Sequence, residues 1–176
     1  RGCTLIDTTC GSVLNVWKAV KRYTAEGFTA VIHGKVHHEE TKATASQALI
    51  AENGRYLIIL DRDEATLVCD FIRGQTSVDQ FRAAFGEACS PGFDPVTDLC
   101  RVGLANQTTM LMSESVEIGE MIRLAMIDRY GQNVVGGHYQ AFETICSATQ
   151  DRQDAVNSLL SGQRFDLAVV IGGYNS

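Results

Sequence analysis

The stretch Thr4-Leu5-Ile6-Asp7-Thr8-Thr9-Cys10 is a β-like run that ends in a polar turn, and a helical pattern follows it directly. The apolar residues of that pattern recur at the spacing of one helix face, at Val13, Val16, Trp17 and Val20. Residues 143–149 have the same form, since a β-like run ends at Cys146 and a helical pattern follows. In open α/β folds ligands bind at the carboxyl ends of strands, so Cys10 and Cys146 can converge on one centre.

Strand-like and helix-like segments alternate along the rest of the chain. The short apolar runs that we predict as strands lie at 28–32, 56–60, 66–69, 101–104 and 165–171. Apolar stripes with helical spacing lie at 78–85, 118–126 and 155–160, and residues 61–64 read as a polar turn between two runs. This alternation predicts an α/β fold with mostly parallel sheets.

Two residue patterns predict where helices begin. Thr76 and Asp79 have the spacing of a capping box and are expected to start the helix that carries Phe81. Thr149 is the expected N-cap of the last helix.

Composition excludes some classes of protein. The 176 residues are 45% hydrophobic and 20% charged, with a net charge of -6 and no basic run. Nucleic-acid binding needs clustered Lys and Arg, so we expect no nucleic-acid partner. No apolar run approaches the roughly 20 residues that span a bilayer, so we expect no membrane partner. The chain starts without Met or a signal peptide and stops just after a strand pattern, so we expect a segment that lacks both ends of a longer protein.

The six cysteines include no CxxC pair, and a core of this size argues against a small disulfide-stapled domain. For Cys10 and Cys146 two interpretations stay open. Each is either a buried thiol of the core, as most isolated cysteines are, or a metal or cluster ligand at a helix N-terminus. Two thiolates are too few for zinc, copper(I) or an iron–sulfur cluster, so further ligands would be needed.

Two polar clusters follow predicted strands. His37-His38-Glu39-Glu40 comes after the 28–32 run, and it is either a solvated loop or a group for proton transfer or anion binding. Asn106-Gln107-Thr108-Thr109 comes after the 101–104 run. This second cluster is either a helix-capping turn or a set of donors for a phosphate or a substrate hydroxyl.

In order along the chain, these groups resemble the 4-hydroxy-3-methylbut-2-enyl diphosphate reductase (LytB) family, the last enzyme of the non-mevalonate isoprenoid pathway. The matching motifs are D-T-T-C at 7–10, H-x-E-x-x-x-T at 38–44, N-Q-T-T at 106–109, C-x-A-T-x-x-R-Q at 146–153 and G-G-Y-N-S at 172–176. Each motif is weak alone, but five in the family's order make chance a poor explanation. The resemblance covers the whole chain.

The resemblance implies three α/β units around a central cavity, incomplete in this chain. Residues 1–10 would end the first unit, 11–143 would form the second and 144–176 would begin the third. It also implies a [4Fe-4S] cluster on three cysteines, with Cys10 and Cys146 as two of the ligands and the third expected outside this chain. We expect this segment to be inactive alone.

The resemblance further implies an oxidoreductase that removes the allylic hydroxyl of 4-hydroxy-3-methylbut-2-enyl diphosphate to give isopentenyl and dimethylallyl diphosphate. Glu40 would lead the proton relay and Thr108 would bond near the substrate hydroxyl. The other expected substrate-binding residues are His38, Gln107, Thr109, Asn175 and Ser176. Of these, Gln107 would support the relay and the others would contact the diphosphate.

The expected partners are the diphosphate substrate and an electron donor of the flavodoxin or ferredoxin type. The expected location is the bacterial cytoplasm or the plastid stroma. Two alternatives remain from other classes: a redox-inactive diphosphate-binding module and a zinc-stabilised α/β protein.

Overall fold

The computed structural model describes residues 8–141, 147–162, 165–167, 169 and 171. Within these residues four strands form one sheet in the order β2-β1-β3-β4, and every neighbouring pair is parallel. The strands are β1 (Thr29–His33), β2 (Tyr56–Ile59), β3 (Val102–Asn106) and β4 (Tyr139–Ala141). The α/β class with a parallel sheet is therefore confirmed.

The two central strands are buried along their whole length, as expected for strands covered on both faces. They run in register, with Ile32 opposite Ala105 and His33 opposite Asn106. Because of this register the chain leaves both strands at the same level of the sheet.

Helices surround the sheet. They are α1 (Gly11–Ala25), α2 (Glu39–Ala48), α3 (Arg62–Ile72), α4 (Val78–Phe85), α5 (Pro95–Asp98), α6 (Met112–Tyr130) and α7 (Ser147–Gly162), with a 3-10 turn at Val135–Gly137. Helix α1 packs on α2, and α3 packs on α6. Among the described helices none is long and apolar enough to cross a membrane.

Helices α1 and α6 cover opposite faces of the sheet. At Gly103 of β3 the open side faces the ring of Tyr23 from α1, whereas the side chain of the next residue, Leu104, approaches Gly119 of α6. Successive residues of a strand point to opposite faces, so the sheet forms the middle of three layers.

The predicted strand at 66–69 is wrong, because these residues lie inside α3. The turn predicted at 61–64 is instead the start of that helix, where the Asp61 carboxylate accepts a hydrogen bond from the Glu64 backbone N–H at 3.0 Å. Val68, Cys69 and Ile72 are buried at helical spacing. A short apolar run is compatible with either structure, and here the cap and the spacing select the helix.

Two helix starts also differ from the prediction. Helix α4 is capped by Ser77, whose hydroxyl accepts from the Gln80 backbone N–H, and not by Thr76 with Asp79. Both pairs have the required spacing, but the Gln80 Oε1 accepts a hydrogen bond from the Ser77 backbone N–H at 3.1 Å. Thr149 lies within α7, which begins two residues earlier, at Ser147.

The strand predicted at 165–171 is only partly covered by the described residues. Residues 165–167, 169 and 171 are described, and none of these five lies in a strand.

The outer edge of β2 is covered by a short antiparallel bridge between Leu57 and Cys89. The Ile58 backbone N–H donates to the carbonyl of Ala88 at 2.8 Å, and the Ser90 N–H donates to the carbonyl of Tyr56 at 3.0 Å. The segment 88–90 therefore occupies the Ile58 N–H and the Tyr56 carbonyl on the outer side of that strand.

Candidate functional site

The two polar clusters lie between β1 and β3, where the chain connections leave the sheet in opposite directions. From β1 the chain crosses outward to β2, and from β3 it crosses to β4 on the other side. Residues 34–40 leave the carboxyl end of β1 and residues 107–109 leave that of β3, beside each other. Such a switch point is the usual ligand crevice of an open parallel sheet.

Glu40 and Thr108 are joined by two hydrogen bonds in this crevice. One carboxylate oxygen of Glu40 accepts from the Thr108 backbone N–H at 2.6 Å, and the other accepts from the Thr108 hydroxyl at 2.9 Å. Glu40 lies in the first turn of α2, where the helix dipole favours negative charge. Thr108 is only 8% exposed, so the pair is held in one geometry. A carboxylate bonded to a hydroxyl in this way can take up a proton and return it through the hydroxyl.

His38 is the N-cap of α2. Its Nδ1 accepts a hydrogen bond from the Glu40 backbone N–H at 3.2 Å. The neutral ring therefore carries its proton on Nε2, which is left to donate to a ligand. The cap fixes the orientation of the ring, and a second proton on Nδ1 would break it.

Gln107 is 2% exposed and links three parts of the crevice. Its Oε1 accepts from the Lys35 backbone N–H at 3.1 Å and from the Thr41 hydroxyl at 2.9 Å. Its Nε2 donates to the Thr109 hydroxyl oxygen at 2.5 Å. Thr109 is exposed. Gln107 therefore binds, from the buried side, a hydroxyl that faces the solvent.

Gly34 allows this close packing. A Cβ at this position would lie 2.8 Å from the Thr41 hydroxyl oxygen and 2.9 Å from the Gln107 Cβ. Any larger residue would push the Gln107 amide out of place. Sequence reasoning did not identify Thr41, because the matching motif includes Glu40 and Thr44 and leaves the residues between them unspecified.

Cys10 is the residue that precedes α1, and its side chain is exposed. The backbone N–H of Ser12 lowers the pKa of the Cys10 thiol most, and the Ser12 hydroxyl and the Val13 N–H add to the effect. The nearby charge of Glu40 raises the pKa of this thiol slightly. An exposed sulfur at a helix N-terminus, with donors that favour thiolate, fits a ligand of a soft metal or cluster.

Two other cysteines have the opposite character. Burial raises the pKa of the Cys69 thiol to about 11 and that of Cys89 to about 12. Both thiols therefore stay protonated at neutral pH and serve as packing groups.

Part of the expected site cannot be compared with the structure. Cys146, Asn175 and Ser176 lie outside the described residues. Within the described residues no group of three or more His, Cys, Asp or Glu side chains is arranged to hold a metal. Cys10 is thus one fitting ligand, and a full set would need residues beyond the described ones.

His33 is a buried group at the same level of the sheet. Its ring is 0% exposed and its Nδ1 lies 2.8 Å from the Ser115 hydroxyl oxygen. Burial lowers the pKa of His33 to about 4, although the Leu60 carbonyl and the Asp61 charge act in the other direction. The ring is therefore neutral at physiological pH.

Comparison with known sequences gives a match over the full length. The pattern of the LytB protein family matches residues 1–176. A protein of Synechococcus sp. strain RCC307 named 4-hydroxy-3-methylbut-2-enyl diphosphate reductase is 53% identical over all 176 residues, which cover 42% of its length. A protein of the same name from Thermosynechococcus vestitus is 52% identical, with 42% of its length covered. The chain thus spans about two fifths of the length of these curated relatives.

Two solved reductase structures are also similar to this chain. A structure titled as (E)-4-hydroxy-3-methyl-but-2-enyl diphosphate reductase, the terminal enzyme of the non-mevalonate pathway, aligns with a TM-score of 0.52 at 26% identity over 97% of this chain and 46% of that one. The E-1-hydroxy-2-methyl-but-2-enyl-4-diphosphate reductase of Plasmodium falciparum aligns with a TM-score of 0.56 at 18% identity over 89% of this chain and 37% of that one. The second likeness supports the fold alone.

Proposed function

Because the chain belongs to the LytB protein family, we propose that it supplies part of a reductase that acts on 4-hydroxy-3-methylbut-2-enyl diphosphate. The reaction consumes two electrons and two protons, breaks the allylic C–O bond, and releases water with isopentenyl or dimethylallyl diphosphate. The observation that carries the proposal is the Glu40–Thr108 pair at the switch point of the sheet.

Glu40 and Thr108 deliver a proton to the leaving hydroxyl. In the ionised state the Thr108 hydroxyl donates to Glu40. Once the carboxylate takes up a proton, this bond reverses, and Thr108 then donates outward to the substrate hydroxyl. The backbone N–H of Thr108 keeps the carboxylate in place during the exchange.

The diphosphate binds on the same edge through donors. His38 offers Nε2–H and Thr109 offers a hydroxyl supported by Gln107, while Asn175 and Ser176 are proposed to complete the contact. Hydrogen bonds to an ionised phosphate are about twice as strong as bonds between neutral groups.

Cys10 and Cys146 hold a [4Fe-4S] cluster together with a cysteine from outside this chain. The exposed, thiolate-favouring sulfur of Cys10 supports this assignment. When bound, the cluster supplies the two electrons and a Lewis-acidic iron. The electrons come from a flavodoxin or ferredoxin-type protein, and we place the enzyme in the bacterial cytoplasm or the plastid stroma.

Replacing Glu40 with Gln tests the proton relay in the full-length protein. The amide keeps the shape but cannot carry the proton, so kcat should fall by about 10²- to 10⁴-fold with folding unchanged by circular dichroism. Glu39→Gln is the matched control, because Glu39 directly precedes Glu40 in α2 and its exposed carboxylate bonds only to Lys42 among the described residues. Equal activity in both variants would refute the relay.

Iron and acid-labile sulfide in the full-length protein, purified without oxygen, test the cofactor. We expect about four of each per chain, lost in Cys10→Ser. Cys100→Ser is the control, since the Cys100 thiol bonds to the carbonyl of Val96 and lies outside the crevice. Zinc without iron or sulfide after anaerobic reconstitution would exclude the reductase.

A further inference from the structure

The Lys35 backbone N–H and the Thr41 hydroxyl together hold the Gln107 amide in one orientation. Thr41 is fully buried and donates to Gln107 Oε1 at 2.9 Å. The Lys35 backbone N–H donates to the same atom at 3.1 Å. A backbone N–H can only donate, so the side-chain atom that faces it must be the amide oxygen. The NH₂ group of Gln107 is thereby directed to the other side.

The direction of the amide decides the role of Thr109. The Gln107 NH₂ donates to the Thr109 oxygen at 2.5 Å and occupies one of its acceptor positions. The hydroxyl proton of Thr109 cannot point back at that NH₂ group, so it is left to donate elsewhere. Thr109 is exposed at the crevice, and a ligand that accepts hydrogen bonds there meets a donor already aimed at it.

The packing around the amide resists its rotation. Thr41 and Gln107 approach the backbone of Gly34 so closely that a Cβ there would lie within 3.0 Å of both side chains. A rotated amide would turn its NH₂ toward the Lys35 backbone N–H, so two donors would face each other and the bond from Lys35 would be lost. Each buried bond left unmade costs about 1–3 kcal/mol, so one orientation dominates.

We infer that Thr41 is a positioning residue for oxyanion binding, which acts through Gln107 to present the Thr109 hydroxyl as a donor to the diphosphate. The inference rests on the proposed function for the identity of the ligand. Thr108 bonds to Glu40 and not to Gln107 among the described contacts, so Thr41 acts on substrate binding and leaves the proton relay alone.

The test uses Thr41→Val in the full-length enzyme. Valine keeps the shape and removes the hydroxyl, and the loss of one neutral hydrogen bond corresponds to about a five-fold change. We expect KM for the substrate and the Kd for inorganic diphosphate to rise about five-fold, with kcat changed less than about two-fold. Thr41→Ser keeps the hydroxyl and should stay near the wild type. Thr24→Val is the control, because Thr24 is a buried helical threonine whose hydroxyl bonds to Val20 and Lys21 of its own helix.

A double-mutant cycle separates positioning from general loosening. In a Thr109→Val background, Thr41→Val should weaken diphosphate binding no further, because the donor that it positions is gone. Additive effects, an unchanged KM in Thr41→Val, or equal losses in Thr41→Ser and Thr41→Val would overturn the inference. Thr41→Ala replaces Thr41→Val if the valine variant does not fold.

Failure of the inference differs from failure of the proposed function. A wild-type enzyme that reduces the substrate, with Thr41 variants that bind diphosphate normally, overturns only the role of Thr41. A full-length wild type that neither reduces the substrate nor binds inorganic diphosphate overturns both.

Discussion

At the scale of single residues, several hydrogen-bond acceptors of the crevice are already bonded to protein donors. Both oxygens of Glu40 are used by Thr108, and the amide oxygen of Gln107 is used by Lys35 and Thr41. The donors that remain toward the solvent include the Thr109 hydroxyl and the Nε2 of His38. These two donors suit an anionic ligand, because an anion can accept from both.

The positions of these side chains follow from sequence to different degrees. Glu40 and Thr108 could be expected to lie near each other, because each follows a buried strand and parallel strands end at one edge. Thr41 and Lys35 could not be identified, because their contribution depends on the register between β1 and β3 and on the close approach at Gly34. Sequence spacing carries no information about either.

His33 should make the stability of the protein depend on pH. Its pKa in the folded protein is about 4, below the ordinary value of 6.5, so the unfolded chain binds a proton more readily between those values. The free energy of unfolding should therefore fall as the pH drops from about 6.5 to about 4, by up to about 3 kcal/mol. Denaturant unfolding of the full-length protein across this range measures the effect.

His33→Asn should flatten that dependence, because Asn can still reach the Ser115 hydroxyl but does not titrate. His37→Asn, at an exposed position, is the control and should leave the slope unchanged. Identical slopes in the wild type and His33→Asn would contradict the prediction.

At the scale of elements, the caps decide what the apolar pattern leaves ambiguous. The run at 66–69 is as apolar as a strand, yet Asp61 starts a helix eight residues before Cys69 and the run joins its buried face. The 118–126 stripe was less ambiguous, since its helical spacing continues for longer than a strand of ordinary length. The nine-residue periodicity therefore predicted α6 correctly, whereas the four-residue run at 66–69 was wrongly predicted as a strand.

The capping box of α4 gives a direct test of helix register. Ser77→Ala removes the hydroxyl that accepts from the Gln80 N–H and should lower the free energy of unfolding by about 1 kcal/mol. Thr76→Ala, one residue earlier, should change it by less than about 0.5 kcal/mol. Thermal unfolding of the two variants makes the comparison, and a larger effect at Thr76 would mean that the helix begins there instead.

At the scale of the whole molecule, α1 packs closely on the sheet at a glycine of β3. Gly103 leaves room for the ring of Tyr23, and the Tyr23 hydroxyl donates to the carbonyl of Leu104 at 3.1 Å. This contact holds α1 to the centre of the sheet, and with it Cys10 to the crevice. The parallel sheet was predictable from alternation, but this contact was not, because an isolated Gly in a strand does not reveal its partner.

Gly103→Ala should therefore destabilise the protein. Its Cβ would overlap the Tyr23 ring, and overpacking of this kind costs about 1–3 kcal/mol. Gly136→Ala is the control, because a Cβ there meets nothing within 4 Å. The midpoint of denaturant unfolding should fall in the first variant only, and a Gly103→Ala protein as stable as the control would show that α1 can shift without cost.

The bridge between Leu57 and Cys89 also affects how molecules behave toward each other. An uncovered strand at the border of a sheet recruits strands from neighbouring molecules and seeds aggregation. Here the backbone groups of Tyr56 and Ile58 on that side are already bonded to the 88–90 segment. The 88–90 segment therefore blocks edge-to-edge association with another molecule at this part of β2.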